Sequence, residues 1–495
     1  MKMKNWYKIF IWLFIGMCIS CTHKSLSEFV DLDEEVSIFP DIKDVTIPCN
    51  IAPLNFNYNG EEKDILLLVS GRNGEKQFIG DEGCFHFKRN YWKNLLHENK
   101  GDKLVFTIAV CRDNKWYKYK PFEIYVSSDS IDPYISYRLI PPGYEGWRNM
   151  GIYQRNLESF DEKAIIENKL TNYNCVNCHS YCQRNPNQMI FHSRAEFDGT
   201  VLINDSILDK LNTKTNKTMS SLVYPYWHPS GNYIAFSVNK TKQNFYNSHP
   251  NRVEVYDEAS DVVVYDINKH EIFSSDLLKS VDAFETFPTF SPDGKSLFFC
   301  SARAVDTLTQ NYNKVKYSLC RIDFDEQNQS FGSQVDTVYN AETEGKSVSF
   351  PRISPDGKYL VFTLHDYGNF SIWHKEADLY LYDLSSQKIK SLDVINSNDV
   401  ESYHSWSDNS RWMIFSSRRL DGLYTRLFIT HINTQGEASR PFLLPQSNPL
   451  EYYKDLMYSY NIPEFMLGPV DVSKYKIVDL LRNTKAMSIK YQEEK

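Results

Sequence analysis

Tyr224-Pro-Tyr-Trp-His-Pro-Ser-Gly-Asn-Tyr-Ile-Ala-Phe-Ser237 is an aromatic run, a proline–glycine turn and a second apolar run, the pattern of a strand–turn–strand hairpin. It returns as Phe287-Pro-Thr-Phe-Ser-Pro-Asp-Gly-Lys-Ser-Leu-Phe-Phe-Cys300 and as Phe350-Pro-Arg-Ile-Ser-Pro-Asp-Gly-Lys-Tyr-Leu-Val-Phe-Thr363. A fourth copy is Tyr403-His-Ser-Trp-Ser-Asp-Asn-Ser-Arg-Trp-Met-Ile-Phe-Ser416, with Asp408 where the others carry their second proline. That turn position falls at Pro229, Pro292, Pro355 and Asp408, in steps of 63, 63 and 53 residues. An alternating strand follows each hairpin, at 261–267, 317–324, 377–384 and 426–432. Each unit therefore supplies about four antiparallel strands, which is a propeller blade.

The Ser-Pro-Asp-Gly turn between an innermost strand and the next resembles the TolB-like family of propellers. The resemblance covers roughly residues 220–435 and implies a closed ring, commonly of six blades, around a central channel. Asn185 to Arg194 matches the second half of the unit, with Pro186 as turn marker 43 residues before Pro229. Tyr137 to Asn156, with Pro142-Gly143, supplies a sixth unit 44 residues earlier still. The expected fold is all-β, a six-bladed propeller over residues 131–440.

Outward from the repeats, residues 44–130 hold apolar or alternating runs separated by Asn-Gly and Asp-Asn turns, which predicts a small Ig-like β-sandwich with a short helix near Tyr91 to His97. Residues 441–495 read as a helical C-terminal extension, with helices at 449–461 and 474–484. Residues 22–43 are acidic and read as a flexible tether. At the N-terminus Lys2, Lys4 and Lys8 precede an apolar run from Ile9 to Ile19 and then Ser20-Cys21, the order of a secretory signal. Cys18-Ile19-Ser20-Cys21 resembles a bacterial lipobox, which implies a signal peptide over 1–21 and acylation of Cys21. The expected location is the bacterial cell envelope, outer membrane, on the periplasmic or surface side, with the membrane as one partner through the lipid.

The densest chemistry is Cys175-Val-Asn-Cys178-His179, a c-type haem attachment pattern: two thiols for the vinyl groups and a histidine for the iron. With 10 Cys and 12 His in the chain, the chance expectation is roughly 0.005. One covalent haem c is expected, held by Cys175 and Cys178, with His179 as the metal ligand. In phase with the repeat, the motif falls on the loop just before an innermost strand, at a channel mouth, and Glu285 takes the place of His179 in another unit. His404, His192 and Met189 are the candidates for the second axial position; alternation sets Met189 and His192 on opposite faces of one strand. The rival for the same cluster, with Cys182 added, is structural zinc, or thiols without any cofactor.

A net charge of −8 and the lack of a basic run beyond the signal argue against nucleic acid as partner. Gly345-Lys-Ser-Val-Ser349 is not a nucleophile elbow, so no catalytic residue is assigned and enzymatic activity stays open. Two functions follow. One is electron transfer or haem-centred redox chemistry with an envelope protein partner. The other is a non-redox scaffold resembling TolB, holding a protein, peptide or glycan.

Overall fold

The computed structural model describes residues 29–143, 148–305 and 308–492, and these are mostly β. The signal run and Cys21 lie outside the described residues.

Residues 29–126 build a seven-stranded and a three-stranded sheet with one helix, Arg89–Glu98. Their faces close on a core of Phe56, Phe85, Phe87, Trp92, Phe106 and Phe122, with Phe106 and Phe122 stacked at 5.4 Å. The predicted tether is folded from Phe29 onward: Phe29–Asp31 pairs with Lys115–Lys118, Ile38–Phe39 pairs with Phe56–Tyr58, and Val36, Ile38 and Ile42 are buried. Its acidic residues concealed those apolar ones, each of which removes side-chain area from water when the strand adds to the sheet.

From Tyr134 onward the chain forms six sheets, here numbered I to VI. Sheet II begins with Cys175–Tyr181, III with Leu222–Trp227, IV with Ala283–Phe290, V with Ser347–Ile353 and VI with Glu401–Trp406. Each continues antiparallel through three more strands, so all four quoted repeats fold as hairpins. Sheet I is composite. Tyr134–Ile140, Gly151–Asn156 and Glu162–Glu167 are joined by Ser459–Met466 from the C-terminal segment, laid beside Tyr134–Ile140. The leading strands touch in succession from II through VI, VI touches Ser459–Met466, and Ser459–Met466 touches II.

The C-terminal extension is therefore only partly helical. Pro449–Asp455 is a helix, started by Pro449 and by Asn448, whose side chain accepts from the Glu451 N–H, but it stops before the strand Ser459–Met466. Lys474–Asn483 is the second helix, and Met487–Ser488 and Lys490–Tyr491 add parallel edge pairs to sheets II and III. A helix-like local pattern was overridden by the open edge of sheet I, whose backbone groups need partners.

Every leading strand carries the same irregularity. Cys178, Tyr224, Phe287, Phe350, Tyr403 and Ile462 have φ between 48° and 54°, and pairing slips at that point in all six sheets. Left-handed backbone costs an ordinary residue about 1–2 kcal/mol, so something must offset it. Ring packing does so in four sheets: Tyr224 meets Phe287 at 4.6 Å, Phe287 meets Phe350 at 4.2 Å and Phe350 meets Tyr403 at 4.7 Å. The next residue is proline in sheets I, III, IV and V, which suits a bulge because it brings no N–H needing a partner. In sheets II and VI it is His179 and His404.

Candidate functional site

The six left-handed residues line one cavity of about 30 Å³, together with His179, His404, Arg352 and Glu464. A second cavity of about 80 Å³ lies toward the turns Pro229, Pro292 and Pro355 and shares Arg352 and Glu464 with the first. The residues between the strands' midpoints and their turns thus form a polar passage inside an aromatic collar.

The Cys-x-x-Cys-His stretch is not on a loop before the strand; it is the leading strand of sheet II itself. The phase taken from Pro186 fails because Cys178 lies eight residues before it, whereas Tyr224 and Phe287 lie five before Pro229 and Pro292. The turn of sheet II is longer and includes a short helical segment, Cys182–Arg184. With the bulges aligned, Glu285 corresponds to Val176 and not to His179.

The side chains of that strand fan out. Cys178 faces the collar, Cys175 packs against the core between sheets I and II, and Cys182 belongs to the core between II and III, its thiol donating to the His228 carbonyl at 3.7 Å. Burial raises the pKa of Cys175 and pushes Cys182 up to about 11. Among the described residues no three Cys, His, Asp or Glu side chains gather where they could hold a metal ion, and every described cysteine is free. That arrangement does not fit the zinc reading.

Nor does the folded strand fit a haem. The cavity beside Cys178 and His179 has room for about two or three waters, against roughly 300–1,000 Å³ for ordinary ligand and cofactor sites. One feature does call for a partner: both ring nitrogens of His179 are unpaired, on a residue 2% exposed. Burial first, and then the Arg138 charge, lower its pKa to about 3, while the Ile462 backbone acts in the opposite direction.

Of the three axial candidates, His404 alone lines the same cavity as His179. His404 Nε2 donates to the Val361 carbonyl of sheet V at 2.8 Å, with Nδ1 unpaired. His192 bonds Thr200 at 2.7 Å and lies against Phe236 of sheet III, whereas Met189 is buried in the core shared with sheet I. His228 bridges Ser230 and the Gly294 carbonyl, a turn-to-turn link.

Sequence reasoning missed Arg352 and Glu464. Arg352 Nη1 donates to Thr289 at 3.2 Å and to the Pro351 carbonyl at 2.9 Å, and its guanidinium lies 5.1 Å from the Tyr226 ring centre. Glu464 accepts from the Tyr181 N–H at 3.3 Å, and burial raises its carboxyl to about 7 against the pull of Arg352 and Arg184. Both lie two residues past the left-handed position of a leading strand, a register that only the located bulges reveal.

No protein-family model and no curated protein sequence matches the chain. Among solved structures it is similar to a DUF4784 family protein from Bacteroides caccae, at 7% identity over 72% of this chain and 95% of that one, with a TM-score of 0.29. It is similar to prolyl oligopeptidase B from Galerina marginata at 9% identity, over 61% of this chain and 43% of that one, with a TM-score of 0.34. For an alpha-L-arabinofuranosidase from Lactobacillus brevis the values are 12% identity, 52% and 94% coverage, and a TM-score of 0.28. At these scores the likeness brings neither an activity nor a substrate to this chain.

Proposed function

We propose that the chain is a six-bladed β-propeller scaffold, exported and lipid-anchored through Cys21, that holds an envelope protein or peptide at the turn-side mouth of its channel. The observation that carries this reading is the convergence of one left-handed residue from each of six leading strands on a single cavity that continues toward the turns. Loops and turns gathered at one end of a rigid ring are where such scaffolds bind. A photoreactive residue at Gln183, on the mouth, should give adducts in living cells, and one at Ser386, on an outer turn, should not. Equal labelling at both, or none at Gln183, would sink the scaffold reading. Labelled palmitate that is incorporated by the parent and not by Cys21→Ser tests the anchor.

A second reading, a c-type haem protein acting in electron transfer, is favoured by the two unpaired nitrogens of His179 and by the attachment pattern itself. It requires the leading strand of sheet II to take another arrangement when loaded. Expression with the signal in a host that matures c-type cytochromes, then denaturation and a pyridine haemochrome spectrum, decides it. Covalent haem lost on changing Cys175 and Cys178 to Ala supports the second reading; a colourless chain of apo mass supports the first.

A further inference from the structure

Arg352, from sheet V, and Glu464, from sheet I, line the same 80 Å³ cavity, yet no carboxylate lies within 4 Å of Arg352 among the described residues. Opposite charges bordering one space without closing on each other leave a gap that a ligand of both signs would fill. Arg352 is held in place: Nη1 spends its hydrogens on Thr289 and Pro351, so Nε and Nη2 remain to present a planar fork. Glu464 is anchored through one oxygen by the Tyr181 N–H. One more polar group on a lining residue lacks a partner, the hydroxyl of Ser405, on a side chain at least nine-tenths buried. An unpaired hydroxyl at such burial is costly unless something else bonds it.

The size of the space limits the ligand. At roughly 10–15 Å³ per water, 80 Å³ holds about five to eight waters, the room taken by a solute of similarly few non-hydrogen atoms. Above pH 7, where Glu464 is ionised, a lone anion would meet its carboxylate and a lone cation the Arg352 guanidinium, so neither charge alone suits both walls. The third lining cation, Arg184, is already paired with Asp408 at 2.8 Å.

We propose that this cavity binds a small zwitterion of amino-acid size, its carboxylate on the Arg352 fork and its ammonium on Glu464, with the Ser405 hydroxyl completing its hydrogen bonds. The inference stands on the cavity alone and holds whichever macromolecule, if any, the scaffold carries.

The test is calorimetric titration of the whole mature chain at pH 8.5, where Glu464 is ionised, with glycine, alanine, β-alanine, acetate and methylamine. At least one zwitterion should bind saturably with a Kd of about 1 mM or tighter. Acetate and methylamine should bind at least about tenfold more weakly, since each lacks one of the two charge-assisted bonds. Glu464→Gln and Arg352→Gln should each weaken the zwitterion by about tenfold or more. Ser405→Ala removes only an unpaired hydroxyl and should weaken binding about threefold or more with the unfolding midpoint unchanged, so it carries the test if Arg352→Gln does not fold. No binding of any zwitterion at about 10 mM, acetate or methylamine binding as well as glycine, or affinity unmoved in Ser405→Ala and Glu464→Gln overturns the proposal. Photolabelling from Gln183 reads the scaffold separately, so either can fail while the other stands.

Discussion

His179 and His404 occupy the same point of the repeat, one residue past the left-handed position, yet only His404 is bonded: its Nε2 donates to the Val361 carbonyl at 2.8 Å, while neither nitrogen of His179 has a partner. The other four sheets carry Pro225, Pro288, Pro351 and Pro463 there. Proline should therefore suit the backbone at 179, so His179→Pro should cost only about 1–2 kcal/mol for the emptied buried space, whereas His404→Pro should lose about 1 kcal/mol more with its hydrogen bond. Urea unfolding of both variants checks this. A loss of several kcal/mol on His179→Pro would mean that the imidazole holds a bound group.

Buried histidines should leave a signature in pH. Burial lowers His192 to about 3, and the Arg194 charge adds to the effect. The ring is neutral in the fold and takes a proton on unfolding below about pH 6.5, so its contribution is full above that value and is lost as the pH falls toward about 3. Glu464 and Asp257, both raised to about 7, act with the opposite sign, so the useful readout is the difference between parent and variant. The cost of His192→Gln at pH 7 should shrink by about 2 kcal/mol at pH 5. A difference that does not change between these values would show that the ring is already charged.

His374 behaves the other way. Its Nε2 lies 3.4 Å from Glu254 and its Nδ1 3.0 Å from Glu376, and these bonds outweigh burial to raise it to about 9. Folded above unfolded, this pKa gives stability that is complete below about pH 6.5 and lost as the pH rises through about 9. His374→Gln should cost about 3 kcal/mol at pH 6, because it strands two carboxylates, and distinctly less at pH 9.5. Chemical denaturation at the two pH values distinguishes this from a packing defect, whose cost would be the same at both.

The aromatic collar should be a fragile part of the interior. Phe287 sits between Tyr224 at 4.6 Å and Phe350 at 4.2 Å and is 2% exposed. Phe287→Ala should cost about 3–5 kcal/mol and relieve none of the left-handed backbone, since alanine keeps its Cβ. Calorimetric unfolding would show it; a cost below about 1 kcal/mol would mean that the collar collapses to refill the space.

The hairpins of sheets III to VI were legible in the sequence because each is a local object: a turn with its own glycine or asparagine, flanked by runs whose alternation is set by the pleat. The N-terminal strands and the helix Arg89–Glu98 were legible for the same reason. Alternation cannot be read through a bulge, because one extra residue resets which face each side chain takes. For that reason the direction of Cys175, Cys178, His179 and Cys182 was not readable from their spacing, and neither was the inward turn of Arg352 and Glu464. The place of Ser459–Met466 beside Tyr134–Ile140 was hidden as well. It pairs residues more than three hundred positions apart, and only the need of an open sheet edge for backbone partners selects it over the helix that the preceding residues begin. By itself the sequence determined the repeating unit and the residue types each strand carries; the closure of sheet I and the bulges, which act over distance and against local preference, decided which of those residues meet.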